Sequence, residues 1–390
     1  MDDLRIGVIG FGARHDLAVH AHRPGEGSAV TVVADPSARG KAQAREAIGE
    51  DVAVVDSVEE LLAGHEVDAV MILTPDATHA SVALRTLGAG IATFCEKPMA
   101  ISVEDADAML ALAQEQRARL YVGHNMRHMP VVRQMKAIVD SGRIGRVRAI
   151  WCRHFVGAGG DFYFKDWHAE REKAMSLLLQ KGAHDIDVIH WLAGGYTRRV
   201  SGIGDLAVYG DITDRRDNSD RRMGDWYDVD IWPPTTLREL NPVVDVEDIS
   251  MLQMRLDNGV LASYQQCHFT PDYWRNYTVI GDAGRIENMG DGAGDQIHLW
   301  ESRRSGPGRP DAVEVIARAD GGHGGADPSL VAEFLRFARS GGATDVSVIA
   351  AREAVATGVL GAESIRDGGV PRDVPPVAPE LRAYFDGGQA

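Results

Sequence analysis

The stretch that decides the fold is Leu4-Arg-Ile-Gly-Val-Ile9, followed directly by Gly10-Phe11-Gly12-Ala13-Arg14-His15. The first six residues are an apolar run that predicts a short buried strand. In a turn from a strand into a helix, the first glycine permits the tight turn and the second lets the backbone approach a phosphate. His15 replaces the third glycine of this pattern. The stretch predicts either a dinucleotide-binding loop or a tight turn without a ligand.

Further apolar, β-branched runs follow this loop and alternate with helical patterns. They end at three chemically distinctive positions: Asp35-Pro36, Thr74-Pro75 and Glu96-Lys97-Pro98. Strands that alternate with helices predict an α/β fold with a doubly wound parallel sheet, and such sheets bind ligands at the carboxyl ends of their strands. We therefore predict a Rossmann domain over residues 1–123.

Beyond residue 123 the pattern changes to alternating runs joined by short turns such as Asp257-Asn258-Gly259. These runs predict a large, mostly antiparallel open sheet, and with the intervening helices an α+β domain over 124–390. The stretch 205–247, rich in Asp, Arg, Pro and Trp, is predicted to be an insertion loop. The predicted strands are 147–156, 250–256, 260–269, 276–280 and 312–318, and the predicted helices are 171–193, 328–340 and 347–366.

The composition limits the kinds of partner. The 390-residue chain carries a net charge of −16, so it repels nucleic acid and anionic membrane surfaces, although a small anionic substrate remains possible. Cys95, Cys152 and Cys267 lie far apart without metal-type spacing, which is typical of a reducing compartment. No signal peptide or membrane-span pattern is present in the sequence. These features predict a cytoplasmic protein with no metal site.

Two strand ends bear on the cofactor. Asp35 can accept hydrogen bonds from an adenosine ribose diol and would repel a 2′-phosphate, which favours NAD. The neighbouring Arg39 leaves NADP open. The loop from Thr74 to His79 can contact the cofactor at the sheet edge, or can simply be a polar loop that caps a helix.

Two further residues suggest chemistry. Lys97, held by the rigid Pro98, can hydrogen-bond a substrate oxygen and stabilise its developing charge, whereas a solvated surface ammonium is the alternative. On a helix, His184 shares a face with Asp187, and a histidine beside a carboxylate suits a general base. A buried core histidine is one alternative. A metal site with Asp187 and His190 is another, but the spacing does not aim all three side chains at one point.

Together these motifs resemble the Gfo/Idh/MocA family, which includes glucose–fructose oxidoreductase and inositol dehydrogenase. The resemblance covers most of the chain and rests on Gly10-Phe11-Gly12, Thr74-Pro75-x-x-x-His79, Glu96-Lys97-Pro98 and Gly182-Ala183-His184-x-x-Asp187-x-x-x-Trp191. It implies hydride transfer between a nicotinamide cofactor and a sugar, cyclitol or sugar derivative. It also implies a homodimer or homotetramer built through the sheet of the C-terminal domain.

The resemblance also implies roles for individual residues. Lys97 would contact the substrate and His184 would be the acid/base, while Gln180 stands where many members have an aspartate. The candidate cofactor contacts are Gly10, Phe11, Gly12, Ala13, Arg14, His15, Asp35, Thr74, Pro75, His79, Glu96, Lys97 and Asn125. The candidate substrate contacts are Lys97, Arg127, Trp167, His168, Lys181 and His184.

Two other functions stay open. Gln180 can orient a substrate hydroxyl but cannot support an imidazolium as an aspartate does. This leaves room for an NAD-dependent glycoside hydrolase that oxidises its substrate transiently, eliminates the aglycone and reduces the product again. A non-catalytic module that senses NAD or a sugar is the third interpretation, and the presence of both Lys97 and His184 argues against it.

Overall fold

A computed structural model describes residues 2–304 and 308–389. The chain divides into two compact units. Unit 1 comprises Met1–His128, Asp320–Arg352 and Val377–Ala390, and unit 2 comprises Met129–Ala319 and Glu353–Pro376. No helix in the described ranges has the length and apolarity needed to span a bilayer.

The strands and helices are numbered in chain order. The strands are β1 (Leu4–Ile9), β2 (Ser28–Ala34), β3 (Ala53–Val55), β4 (Ala69–Ile72), β5 (Ala92–Cys95), β6 (Leu120–Val122), β7 (Val147–Phe155), β8 (Thr197–Asp205), β9 (Ile249–Leu256), β10 (Leu261–Cys267), β11 (Trp274–Gly281), β12 (Arg285–Met289), β13 (Gln296–Trp300), β14 (Ala312–Val315) and β15 (Arg372–Asp373). The helices are α1 (Asp16–Ala21), α2 (Ala38–Ile48), α3 (Val58–Gly64), α4 (His79–Gly88), α5 (Val103–Gln116), α6 (Pro130–Asp140), α7 (Gly159–Tyr163), α8 (Arg171–Ala174), α9 (Leu177–Gln180), α10 (Gly182–Ala193), α11 (Met223–Trp226), α12 (Gly322–Ser340), α13 (Val348–Arg366) and α14 (Pro379–Asp386). Short 3-10 turns lie at Asp76–Thr78, Asn125–His128, Trp167–Ala169, Tyr209–Asp211 and Pro234–Thr236.

Unit 1 contains the predicted doubly wound sheet. Its six strands are all parallel and run in the order β3-β2-β1-β4-β5-β6. The strands β4 and β5 are buried along their whole length, as expected when helices cover both faces of a parallel sheet. The strand order reverses between β1 and β4, which is where doubly wound sheets bind their ligands.

Local sequence explains where several helices of unit 1 begin. Ser37, Ser57 and Ser102 each accept a hydrogen bond from a backbone N–H in the first turn of α2, α3 and α5 respectively. A serine at this position satisfies an amide that has no partner within the helix. These caps fix the path of the chain as it leaves the carboxyl edge of the sheet.

The later helix α12 completes the core of unit 1. Phe334 is fully buried and packs edge-to-face on Phe94 of β5, with ring centroids 5.3 Å apart, and lies 5.8 Å from Tyr121 of β6. Residues 320–352 therefore belong to unit 1. The sequence predicts a single boundary between the domains at residue 123. The difference arises because the apolar face of α12 covers one side of the parallel sheet.

Unit 2 contains a nine-stranded sheet in the order β14-β13-β12-β11-β7-β10-β9-β8-β15. The β7–β10 pair is parallel and the remaining pairs are antiparallel. The predicted fold class, a Rossmann sheet plus a mostly antiparallel sheet, is thus confirmed. Residues 206–248 form turns and short helices, and several of their apolar side chains pack with those of residues 156–177.

The predicted helix over 171–193 is interrupted. Met175 takes a positive φ of 61°, and Ser176 then caps a new helix by accepting from the Leu179 N–H. Three shorter helices, α8, α9 and α10, replace the single one. The periodicity of apolar residues did not reveal this break because Ala174 and Leu177 are buried on either side of it.

Candidate functional site

The glycine loop after β1 is shaped by close packing at one end and by open space at the other. Gly10 has a φ of +82°, and a Cβ there would lie 2.9 Å from Thr74 Cγ2 and 3.0 Å from the Leu73 carbonyl oxygen. Both facts require glycine. A Cβ on Gly12 would meet no heavy atom of the described residues within 4 Å, and Ala13 beside it is exposed. The loop therefore has room for a phosphate on its outer side.

His15 closes this loop with its side chain. Its Nδ1 lies 2.9 Å from the Gly12 carbonyl oxygen, and its ring packs against Phe11 with centroids 5.5 Å apart. Helix α1 begins at the next residue, Asp16. A hydrogen bond from the imidazole thus stabilises the turn where a third glycine usually permits close packing.

Asp35 lies at the end of β2 and is tied to the glycine loop. One carboxylate oxygen accepts from the Phe11 N–H at 2.8 Å, and the other accepts from the Ser37 N–H at 2.9 Å and its hydroxyl at 2.6 Å. A Cβ on Gly40 would lie 2.3 Å from Asp35 Cγ, so glycine is required there. These contacts fix the Asp35 carboxylate beside the glycine loop.

A charged network links the glycine loop to Lys97. The Arg14 Nε donates to Glu96 Oε1 at 2.7 Å, and the Lys97 backbone N–H donates to Glu96 Oε2 at 2.6 Å. Burial raises the pKa of Glu96, but Arg14 and Lys97 lower it by more than burial raises it. The pKa of Glu96 is therefore below its ordinary value. Glu96 is therefore an anion that joins the loops after β1 and β5. Both predicted cofactor residues, Arg14 and Glu96, are already engaged with protein groups.

Asp327, which the sequence analysis did not single out, extends this network. It accepts from Arg14 Nη1 and Nη2 at 3.0 and 3.1 Å and from Asn125 Nδ2 at 2.9 Å. The predicted substrate residue Arg127 is buried, and its Nη1 donates to the Asp345 carbonyl at 2.8 Å. The sequence signal for Asp327 was its place in Gly321-Gly-His-Gly-Gly-Ala-Asp327-Pro328, a glycine-rich turn directly before a helix.

The loops after β4 and β5 meet at His79. This ring is 1% exposed, with Nδ1 2.7 Å from the Pro98 carbonyl oxygen and Nε2 2.8 Å from the Thr74 carbonyl oxygen. The Thr78 hydroxyl donates to the Thr74 hydroxyl at 2.8 Å. The prediction that His79 contacts a cofactor differs from this geometry, because backbone carbonyls occupy both ring nitrogens.

In unit 2, three of the predicted substrate residues surround Tyr163. Trp167 stacks on His168 with centroids 3.8 Å apart, and the His168 ring meets Tyr163 edge-on at 5.3 Å. Lys181 Nζ lies 6.0 Å from the centre of the Tyr163 ring. Asp166 accepts hydrogen bonds from the backbone N–H and the ring of His168. Aromatic surfaces with one cation are thus grouped at this point.

His184 and Gln180 lie on consecutive short helices. Gln180 ends α9 and is 7% exposed, while His184 lies in the first turn of α10 and is 6% exposed. His190, in the last turn of α10, is tied to β8: its Nε2 accepts from the Thr197 N–H at 3.2 Å and lies 2.8 Å from the Thr197 hydroxyl. Across the described ranges, no group of three His, Cys, Asp or Glu side chains is arranged to hold a metal.

Asp185, next to His184, is the centre of a fully buried network. It accepts from the hydroxyls of Tyr277 and, at 3.0 Å, Tyr264, and it pairs with Arg275 Nε at 3.1 Å. His154 Nδ1 lies 3.0 Å away. Burial raises the pKa of Asp185, but Arg275 and His154 lower it well below its usual range. Burial and Arg275 lower the pKa of His154 to about 3, so this ring is neutral and donates from Nδ1.

The inner face of the nine-stranded sheet changes from apolar to polar along its strands. One row across β9, β10, β7 and β11 is Met254, Ala262, Ile150 and Val279; the next is Leu252, Tyr264, Cys152 and Tyr277; the third is Ser250, Gln266, His154 and Arg275. All twelve side chains are buried. The polar third row was missed from sequence, although its signal was a polar residue recurring at inward positions of strands with period two.

His268 continues this polar end, two residues beyond Gln266. It is fully buried, and burial lowers the pKa of His268 well below its ordinary value. Within the described part of the chain, both His268 ring nitrogens and Gln266 Nε2 lack a hydrogen-bond partner. Buried polar atoms usually have partners, so these atoms retain capacity to bind a further polar group.

Comparison with known proteins places both halves of the chain in one family. Residues 4–124 match the oxidoreductase family model with an NAD-binding Rossmann fold, and residues 132–287 match the GFO/IDH/MocA C-terminal domain. The putative oxidoreductase YteT of Bacillus subtilis is 23% identical over 72% of this chain and 74% of its own length. Inositol 2-dehydrogenase of Gluconacetobacter diazotrophicus is 31% identical over 49% of this chain and 55% of its own length, so that match spans about half of the relative.

Solved structures share the fold. Levoglucosan dehydrogenase in complex with NADH superposes with a TM-score of 0.76, at 19% identity, over 96% of this chain and all of that one. At this level of identity the similarity extends to the fold alone.

Proposed function

The chain belongs to the Gfo/Idh/MocA oxidoreductase family, and from this premise we propose that it transfers a hydride between a nicotinamide cofactor and a secondary alcohol or ketone of a sugar, cyclitol or sugar derivative. The observation that carries the proposal is the link from the glycine loop through Arg14 and Glu96 to the backbone of Lys97. This link joins the loop after β1, which has room for a phosphate, to the lysine after β5. Both lie at the edge where doubly wound sheets bind ligands.

The residues of unit 1 fit a dinucleotide. The backbone is open at Gly12, and the Asp35 carboxylate lies beside the loop. A bound nicotinamide supplies the hydride acceptor or donor. The Asp35 carboxylate opposes a 2′-phosphate by charge, and on this ground we propose NAD rather than NADP as the preferred cofactor.

For alcohol oxidation, His184 accepts the proton of the substrate hydroxyl. Lys97 donates a hydrogen bond to a substrate oxygen and stabilises the negative charge that develops as the carbon loses its hydride. The polar row with His268 and Gln266, together with the aromatic group at Tyr163, supports a polyhydroxylated substrate, since aromatic faces and unpaired polar atoms are what a sugar ring and its hydroxyls bind. Gln180 is proposed to orient a hydroxyl.

The test is a screen of polyols and sugars with NAD⁺ and NADP⁺, followed by the variant Lys97→Met. We expect turnover to fall by about 10²- to 10³-fold, as when one stabilising donor is removed, with NAD affinity within about twofold of wild type. Lys136→Met is the matched control, since Lys136 pairs with Asp140 on helix α6 and is expected to leave turnover unchanged. Wild-type turnover in Lys97→Met would exclude the assigned role.

A second candidate is favoured by Gln180, which cannot support a charged His184 as a carboxylate does. In this alternative a glycoside is oxidised transiently, the aglycone is eliminated and the product is reduced again. Incubation with a panel of glycosides separates the two candidates. Aglycone release without net NADH formation supports the hydrolase, whereas NADH formation in proportion to oxidised product supports the dehydrogenase.

We also propose that copies of the chain associate through the outer face of the nine-stranded sheet. Trp151 and Leu261 on this face are 53% and 50% exposed, and Met251 is 38% exposed. Large apolar side chains grouped on a sheet face are typical of association surfaces. Light scattering of wild type and Trp151→Glu tests this: a dimer or tetramer is expected for wild type and a lower mass for the variant.

A further inference from the structure

The contacts of His79 restrict its protonation state. Nδ1 lies 2.7 Å from the Pro98 carbonyl oxygen and Nε2 lies 2.8 Å from the Thr74 carbonyl oxygen. A carbonyl oxygen can only accept, so each ring nitrogen must donate. Neutral imidazole has a single N–H, and its other nitrogen would point a lone pair at a carbonyl. Only the imidazolium satisfies both contacts.

The groups around the ring favour this charge. β5 contributes Cys95, the 3-10 turn before α4 contributes Asp76, and the loop after β5 contributes the Pro98 carbonyl. Burial lowers the pKa of His79, but Cys95, Asp76 and the Pro98 carbonyl raise it, so that the pKa is about 10. The two carbonyl contacts, together with this raised pKa, predict a protonated ring at pH 8.

The two carbonyls belong to two different loops. Thr74 is the second residue after β4. Pro98 follows Lys97 in the loop after β5. The Lys97 N–H is held by Glu96 Oε2 at 2.6 Å. The backbone of Lys97 is thus fixed by a carboxylate on its amino side and, one residue later, by His79.

We propose that His79 is a permanently charged clamp that joins the loops after β4 and β5 and thereby positions Lys97, rather than a residue that contacts the cofactor. The effect of His79 on turnover rests on the proposed function, because His79 acts through Lys97. The charge state of His79 does not depend on the proposed function. His79 is a positioning residue in this scheme, since both of its ring nitrogens bind backbone.

The direct test is nitrogen NMR of the wild-type protein labelled at histidine, with the His79 signals assigned by their loss in His79→Gln. At pH 8 we expect both ring nitrogens to be protonated, with titration near pH 10. A neutral tautomer at pH 8 would overturn the proposal, and this readout does not depend on activity; the assignment requires that the other histidine signals of His79→Gln match those of wild type.

The second test uses the pH dependence of stability. The pKa of His79 is about 10 in the folded protein and about 6.5 in an unfolded chain, so the folded state binds one more proton between these values. The stabilisation is complete below about pH 6.5 and is lost as the pH rises towards 10, with the folding equilibrium constant falling up to about tenfold per pH unit. His79→Gln should lack this slope. His65→Gln, which removes another histidine of unit 1, should retain it.

Activity completes the test. We expect kcat of His79→Gln to fall by about tenfold, while the NAD dissociation constant stays within about twofold, because a loosened Lys97 affects the transition state more than cofactor binding. Unchanged kcat together with an unchanged pH slope would refute the clamp. If the His79 ring is doubly protonated but Lys97→Met has wild-type turnover, the assigned role of Lys97 fails while the charge of His79 stands.

Discussion

The candidate sites of the two units are built in different ways. In unit 1 several chemical groups contact main-chain atoms: Asp35 accepts from the Phe11 and Ser37 amides, Glu96 accepts from the Lys97 amide, and His79 contacts two carbonyls. In unit 2 the polar side chains are held by other buried side chains, and Asp185 has four of them around it. We therefore expect substitutions that face open space at the first site to change binding or chemistry, whereas substitutions at packed positions of either site should also change stability.

The largest expected effect tests the second half of this comparison. Asp185→Asn keeps the shape of the side chain but removes the nearer of the two carboxylates that pair with the buried Arg275, so we expect the free energy of unfolding to fall by about 3–5 kcal/mol. Denaturant titration measures it. Tyr264→Phe, which removes one donor to Asp185, should cost only about 0.5–1.5 kcal/mol. A loss below about 1 kcal/mol for Asp185→Asn would mean that this network does not stabilise the unit.

A pair of glycines tests the first half. Gly10→Ala should lower the free energy of unfolding by about 1–3 kcal/mol, because the backbone there has a positive φ and a Cβ would press on Thr74 and the Leu73 carbonyl. Gly12→Ala should change stability by less than about 0.5 kcal/mol.

The same pair is then compared for cofactor binding. Gly12→Ala should weaken NAD binding about tenfold, or about 1.4 kcal/mol, since its methyl group projects where the phosphate would approach. Isothermal titration gives the affinity. Equal stability losses in the two glycine variants would contradict the assignment of packing to Gly10 and binding to Gly12.

The smallest expected effect concerns cofactor choice. Asp35→Asn retains an acceptor for the Phe11 amide but removes the charge that opposes a 2′-phosphate. We expect the ratio of kcat/KM for NAD to that for NADP to fall about tenfold, with a loss of stability of about 1 kcal/mol because the new NH2 group faces the Ser37 N–H donor. Steady-state kinetics with both cofactors measures the ratio, and an unchanged ratio would remove Asp35 from the basis of cofactor preference.

The same contrast explains what could be read from the sequence. The glycine loop, Asp35 and Lys97 follow strand ends, and a parallel sheet brings its strand ends to one edge, so local patterns were enough to group them. The two family models and the two sheets confirm the predicted family and fold class. The roles of individual site residues remain predictions.

The polar row of unit 2 could not be assembled in this way. Gln266, His154 and Arg275 become neighbours only through the register of three strands, because β7 lies far before β10 and β11 in the chain and pairs with β10 in parallel. Asp327 was missed for a related reason: it reaches Arg14 across more than 300 residues of sequence. Contacts of this kind depend on tertiary packing, and the local signal at each position does not say which distant residue lies opposite.

The return of α12 to unit 1 has a consequence for protein synthesis. Phe334 covers Phe94 and Tyr121, yet it is translated long after β6. At about 5–20 residues per second, the ribosome needs roughly 10–40 s to add residues 123–321. During that interval Phe94 and Tyr121 lack the cover that Phe334 provides, so unit 1 cannot complete its core until the ribosome has made the chain through α12.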